Sequence, residues 1–207
     1  MPWDIGKKYR EEGNEVLSMR VSVALLSYDH GIIRMVIDVL KEILEKGTLE
    51  KFKVETGEIS RFMKEFINDF HHEKEERFLF PAALRLDPSM GPEVSELIHD
   101  HAHVRDLLMR LVASEISAGS RFEEISREII ETMTSHIDRE EKEVFPKIEA
   151  LLTPAEDRAV YKSGQEFEDG RFGHGYVRAS EKFAGSIQAR VLGSDYFKRM
   201  ASEPSSS

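Results

Sequence analysis

A chain of 207 residues with a formal charge of −10 and no cysteine is long enough for one well-buried domain with an appendage. The missing thiols exclude disulfides, zinc–thiolate sites, iron–sulfur clusters and thiol catalysis. The acidic balance argues against nucleic acid or an anionic membrane as a partner, because binding phosphates needs clustered Lys and Arg.

The opening MPWDIGKKYREEGNEV lacks the apolar core of a signal peptide. No apolar run approaches the ~20 residues of a membrane span, so a soluble, cytoplasmic protein is expected. Eight histidines and 39 acids leave imidazole and oxygen as metal ligands, a set that suits iron, zinc or manganese.

In chain order, residues 1–13 form an arm and four long segments then carry helical periodicity, with no alternating strand pattern. The first spans about 14–46, stops at Gly47, and has the apolar line Val23, Leu26, Ile33, Ile37, Leu40 and Leu44. The second spans about 58–86, with Ile59, Phe62, Met63, Phe66, Ile67, Phe70, Phe78 and Leu79, and is broken by DPSMGPE. The third spans about 93–117, with Val94, Leu97, Ile98, Val104, Leu108, Leu111 and Val112. The fourth follows AGS and spans about 121–152, with Phe122, Ile125, Ile129, Met133, Ile137, Val144, Ile148 and Leu151. Four amphipathic helices with short connections predict an all-α, up-down-up-down four-helix bundle over 14–152.

Thr153-Pro154-Ala155-Glu156 reads as a new helix start, with Thr as N-cap, Pro in the first turn and Glu three residues on. That helix is expected to end near Glu168, followed by the Gly-rich loop DGRFGHGY and a short helix around 177–191. Residues 153–200 are therefore a C-terminal helical extension packed on the bundle. The final 201–207 form an expected disordered tail.

The two halves of the bundle repeat each other. Asp29-His30-x3-Arg34 on the first helix answers Asp100-His101-x3-Arg105 on the third. His71-x3-Glu75-x3-Leu79-Phe80-Pro81 answers His136-x3-Glu140-x3-Val144-Phe145-Pro146. Residues three, four and seven apart share a helix face, which places His30, His71, Glu75, His101, His136 and Glu140 on the apolar stripes. By the same test His72, His99 and His103 have polar neighbours and belong to the surface, with a role as an extra ligand the alternative for His72, which is next to His71. Rotating the third helix to turn His99 and His103 inward would bury Ser95 and Asp106 in place of Leu97, Ile98 and Leu108. Counting ~1.5 Å of rise per residue, His30 stands roughly 24 Å before the end of its helix and His71 roughly 20 Å after the start of the next. His101 and His136 are similarly placed, so the four histidines meet at one level.

A lone core histidine is ordinarily a hydrogen-bonded residue, but four imidazoles and two carboxylates at one depth need compensation. An unpaired buried carboxylate costs several kcal/mol, and one or two divalent cations satisfy every lone pair at once. Two Glu and four His supply two ions with about two His each and shared carboxylates. Positions then stay free for water, an oxo bridge or a diatomic ligand.

At these residues the sequence resembles the hemerythrin-like (HHE cation-binding) family, over about residues 20–152. The resemblance is carried by His30, His71-x3-Glu75 with Leu79-Phe80-Pro81, His101, and His136-x3-Glu140 with Val144-Phe145-Pro146. It implies a non-heme centre of two iron ions, oxo- or hydroxo-bridged, with zinc or manganese as alternatives. Glu75 and Glu140 would be its bridging carboxylates and the histidines its terminal ligands. The oxygen-carrying members have His-x3-His on the third helix, where this chain has Leu97 four residues before His101, and end on His-x4-Asp rather than His136-x3-Glu140. Their asymmetric five-histidine site is therefore not expected.

Binding of, or reaction with, oxygen, peroxide or nitric oxide is the implied function. Its small ligand is the expected partner, and a protein partner or a second copy is compatible with the extension. An iron- or oxygen-sensing module without turnover and a metal-free helical scaffold are the alternatives. Arg34 and Arg105 are candidates to hydrogen-bond ligating carboxylates or to form surface salt bridges. Asp29 and Asp100 either orient neighbouring groups or are solvated, Phe-Pro at 80–81 and 145–146 reads as bundle-end packing and helix termination, and His174 reads as a surface loop residue.

Overall fold

The computed structural model describes residues 20–114 and 119–193. The arm at 1–13, the expected start of the first helix at residue 14, the third helix's end near 117 and the tail at 201–207 lie outside these residues. The described chain is helical with no strand: α1 (Val21–Glu45), α2 (Lys53–Met63), α3 (Phe80–Leu86), α4 (Gly91–Ala113), α5 (Gly119–Arg139), α6 (Phe145–Leu151), α7 (Pro154–Arg171) and α8 (Tyr176–Leu192). Two π-helical segments, Lys64–His72 and Glu75–Leu79, join α2 to α3, so residues 53–86 form one continuous rod. A third, Glu140–Val144, joins α5 to α6 in the same way. Among the described residues no helix is long and apolar enough to cross a membrane.

Local chemistry sets the ends of these rods. α1 stops where Gly47 takes φ 59°, a left-handed conformation that costs glycine little. There Gly47 N–H donates to Leu44 O at 3.2 Å and Thr48 N–H to Ile43 O at 3.0 Å, the paired bonds of a Schellman termination. α7 begins on the expected capping box, with Glu156 N–H donating to Thr153 Oγ1 and Thr153 N–H to Glu156 Oε2.

The prolines do not terminate their helices as the sequence suggested. Pro81 and Pro146 have no N–H to give to the carbonyl four residues back, and their rings would clash with it. The chain widens instead: Phe80 N–H reaches Glu75 O and Phe145 N–H reaches Glu140 O, each five residues back as in a π turn. Both rods then continue for another turn or more.

Two apolar layers fill the interior. One gathers Ile33, Ile37, Leu40, Ile59, Phe66, Leu108, Phe122 and Ile129, and the other gathers Val23, Leu26, Leu79, Val94, Leu97, Val144 and Ile148. Residues 30, 71–75, 101 and 136–140 fall between them along every rod. On α4 the buried stripe is Val94, Leu97, His101, Val104, Leu107, Leu108 and Leu111. Ile98 and Val112, expected inside, are exposed, each one position past a buried leucine, Leu97 or Leu111, that takes the inward place on the stripe.

α7 and α8 both lie against α1. The Gly-rich connection is shorter than expected, since α7 runs to Arg171 and α8 starts at Tyr176. Asp157 of α7 accepts from the N–H groups of Val21 and Ser22, both at 3.0 Å, and from Ser22 Oγ at 2.6 Å. The extension thus supplies the cap that the α1 N-terminus lacks in its own sequence. Ala184 and Ile187 of α8 are fully buried, and Tyr176 Oη donates to Glu65 Oε1 at 2.8 Å.

Candidate metal centre

All six residues singled out by the repeat converge. His30, His71, Glu75 and Glu140 form one buried group whose donor atoms lie within 4.8 Å of one another, and Glu75, His101, His136 and Glu140 form a second. The two groups share both glutamates. Nε2 points inward from each histidine: His30 Nε2 is 3.1 Å from Glu140 Oε2, His71 Nε2 is 3.6 Å from Glu75 Oε1, His101 Nε2 is 3.4 Å from Glu75 Oε2, and His136 Nε2 is 3.3 Å from Glu140 Oε2.

The outward ring nitrogens meet a second ring of charge. His30 Nδ1 lies 3.0 Å from Glu141, His71 Nδ1 3.5 Å from Asp29, His101 Nδ1 2.9 Å from Glu76, and His136 Nδ1 3.5 Å from Asp100. A cation holds each of these carboxylates: Arg34 on Glu141 with both contacts at 2.9 Å, Lys74 on Asp29 at 2.6 Å, Arg105 on Glu76 at 3.2 Å, and Arg139 on Asp100 at 2.7 Å. Each carboxylate comes from the rod before the histidine it serves. α1 serves the 53–86 rod, that rod serves α4, α4 serves α5, and the π turn after α5 serves α1.

An imidazole whose second nitrogen donates to a carboxylate has its tautomer and ring plane fixed, and its first nitrogen is left as a more basic lone pair. Arg34 and Arg105 therefore act on the carboxylates behind the histidines, not on Glu75 or Glu140. Asp29, 1% exposed, is an orienting group rather than a solvated one.

Protein groups alone do not satisfy the inner layer. His30 Nε2, His71 Nε2 and both oxygens of Glu75 and of Glu140 are buried without a hydrogen-bond partner. Burial and the neighbouring Glu140 push Glu75 well above the usual carboxylate range. Burial presses Glu140 the same way, but His136 and His30 outweigh it and hold Glu140 well below that range. Burial lowers His136, and Glu140 with Asp100 overcomes this to lift it to about 9. His71 is driven down to about 4, mainly by burial and against the pull of Asp29. Without a cation the layer persists only by leaving one glutamate neutral beside charged imidazoles, whereas cations would meet every bare lone pair. The donor set therefore fits bound metal.

One expectation is overturned. His72 was assigned to the surface, yet it is fully buried and groups with His101 and His136. The assignment assumed 3.6 residues per turn, but the π segment ending at His72 closes i→i+5 bonds and takes more residues per turn. Adjacent residues can then both face inward. His99 and His103 are exposed as expected, His103 pairing with Glu128 at 3.0 Å, and His174 is 93% exposed. The orienting groups Glu76, Glu141, Lys74 and Arg139 were missed. Their signal lay in the repeat itself, where Lys74-Glu75-Glu76 answers Arg139-Glu140-Glu141.

A helical protein with a buried imidazole–carboxylate centre able to hold cations is the class these observations define. The Hemerythrin HHE cation binding domain family matches residues 21–148, more than half of the chain, and the chain belongs to that family. Uncharacterised proteins of Mycobacterium bovis and Mycobacterium tuberculosis are 24% identical to it over 170 residues, 77% of this chain. The match covers 66% of their own length, so the chain spans just under two thirds of these relatives. No solved structure matches it.

Proposed function

We propose that the chain is a non-heme two-iron protein whose small ligand is a diatomic gas or peroxide, carried on an up-down-up-down bundle. The observation that carries this is the sharing of Glu75 and Glu140 by two buried groups, one completed by His30 and His71 and the other by His101 and His136. When bound, a pair of irons would supply a redox couple able to bind or react with oxygen, peroxide or nitric oxide. The chain's own residues hold the lone pairs in place. Glu141, Asp29 and Glu76 hydrogen-bond the outward nitrogens of His30, His71 and His101 and Asp100 lies 3.5 Å from that of His136, while the apolar layers on either side keep bulk water from the carboxylates.

A sensing role without turnover draws support from one feature. α7 and α8 rest on α1, the helix that carries Asp29 and His30, so a change at the centre has a direct route to the extension.

Metal analysis of the purified protein, with visible spectra under air and after peroxide, tests the proposal. About two irons per chain with an absorption that responds to oxidant is expected. A colourless protein that cannot be loaded with iron would refute it. Glu75→Ala and Glu140→Ala should each lose most bound iron, measured the same way.

A further inference from the structure

α4 carries a second apolar line besides the one it buries. Ile98, Met109 and Val112 are 39%, 53% and 45% exposed, and Ala102 is exposed with them. With Arg105 in the middle, Ile98, Ala102, Arg105, Met109 and Val112 follow one another at intervals of four, three, four and three residues. That is the heptad spacing by which one helix presents a seam to another, and at ~1.5 Å per residue it runs for roughly 21 Å. Exposed hydrophobes scattered singly are ordinary, but these share one line. The inner side of α4 packs on α5 and the 53–86 rod, and α7 and α8 lie on α1, so the seam stays open to solvent.

The seam is self-complementary when a second α4 runs antiparallel to it. Setting Ile98 against Met109 of the second copy also sets Ala102 against its Arg105, because both pairs straddle the same point on the helix. The methyl of Ala102 leaves room for a guanidinium, and Arg105 is already tied back to its own chain, through Nε to Asn68 at 2.6 Å and Nη2 to Glu76 at 3.2 Å. The charges favour the same direction. Glu93, Glu96 and Asp100 make the first half of α4 acidic, and Arg105 and Arg110 outnumber Asp106 in the second. Antiparallel pairing brings each acidic half to the other copy's basic half, with Glu96 level with Arg110 and His99 beside Asp106. A parallel pair would instead stack Arg105 on Arg105 in the middle of the seam, and like charges so placed repel.

We infer that the exposed face of α4 is the contact surface for a second copy of this chain, the two α4 helices pairing antiparallel about a two-fold axis level with residues 103–104. One helix face falls short of the ~800 Å² per partner of a standard interface, so the dimer exchanges with monomer. None of the seam residues lies in the inner layer of the centre, so the inference is independent of the iron proposal.

Sedimentation velocity of the full chain from low to high micromolar concentration, together with cross-linking of single-cysteine variants, tests this. The wild type should move from monomer towards dimer as concentration rises. Met109 is exposed, so Met109→Glu should keep the helical content and melting temperature of the wild type while its dimer weakens roughly tenfold or more. The chain has no cysteine of its own, so a single thiol reports one position. Ile98→Cys mixed with Met109→Cys should be joined by a short bismaleimide. Neither should be joined to itself, because like positions in the antiparallel pair stand about 11 residues, or roughly 16 Å, apart along the helices.

A wild type that stays monomeric throughout overturns the second copy as the occupant and points to a different protein. A dimer of wild-type strength in Met109→Glu overturns the location of the interface. Variants that cross-link to themselves and not to each other overturn the antiparallel register. Should Met109→Glu fail to fold, the mixed cross-link still decides.

Discussion

Asp29 and Asp100 show what a single side chain contributes here. Each follows a different rod from the histidine it orients, and each is gripped by a cation from that histidine's own rod, Lys74 or Arg139. Asp29→Asn and Asp100→Asn keep the size of the side chain but remove the charge that fixes the Nδ1 proton. Iron affinity should fall about 10–100-fold in each, measured by competition with a chelator, with the helical content by circular dichroism unchanged. His99→Ala and His103→Ala touch neither ring of the centre and should leave iron content as in the wild type. The six central residues were legible in the sequence because each interrupts an apolar stripe at helical spacing. The orienting residues were not, because their partners lie on other helices and spacing along one helix carries no record of a neighbour.

At the scale of the element, the π turns decide which residues reach the centre. Two of the three, Glu75–Leu79 and Glu140–Val144, begin at a shared glutamate and precede a Phe-Pro pair, so the proline that frustrates regular helix geometry lies just downstream of each of these glutamates. Pro146→Ala restores the missing donor and removes the ring clash, worth about 3 kcal/mol in a helix interior. The metal-free variant should melt higher, and its iron affinity should drop as Glu140 rotates off the shared position; thermal denaturation and iron titration read the two effects. His72 was misplaced for the same reason, since a wheel of fixed pitch cannot register a change of pitch. Helix ends were more legible: Gly47 and the Thr153 capping box act through atoms a few residues away. The cap on α1 was not legible, because Asp157 is remote in sequence. Asp157→Ala leaves the N–H groups of Val21 and Ser22 without their acceptor and should cost about 1–2 kcal/mol, measured by denaturant unfolding.

For the molecule as a whole, a polar layer sits between two apolar ones, and its donor atoms meet only when the chain is folded. Each iron at 100 times its dissociation constant should add about 2.7 kcal/mol, which for a chain of this size raises the melting temperature by roughly 5–10 °C per ion. Chelation followed by calorimetry should return that increment, and equal melting of loaded and stripped protein would show that the layer is stable without metal. The bundle and its repeat were legible because hydrophobic periodicity and turn residues report on each rod separately. How α7 and α8 lie on α1 was not, since their buried faces are short and their contacts long-range.

The passing of carboxylates from rod to rod also bears on handedness. Four amphipathic helices joined by short loops can close clockwise or anticlockwise around the same apolar interior, and hydrophobic burial alone separates the two poorly. In the observed order Asp29 meets His71 and Glu141 meets His30. Closed the other way, each acid would face the wrong neighbour and all four histidines would lose their outward partners together. The outer ring thus favours the observed order over its mirror image, and it does so through protein groups alone.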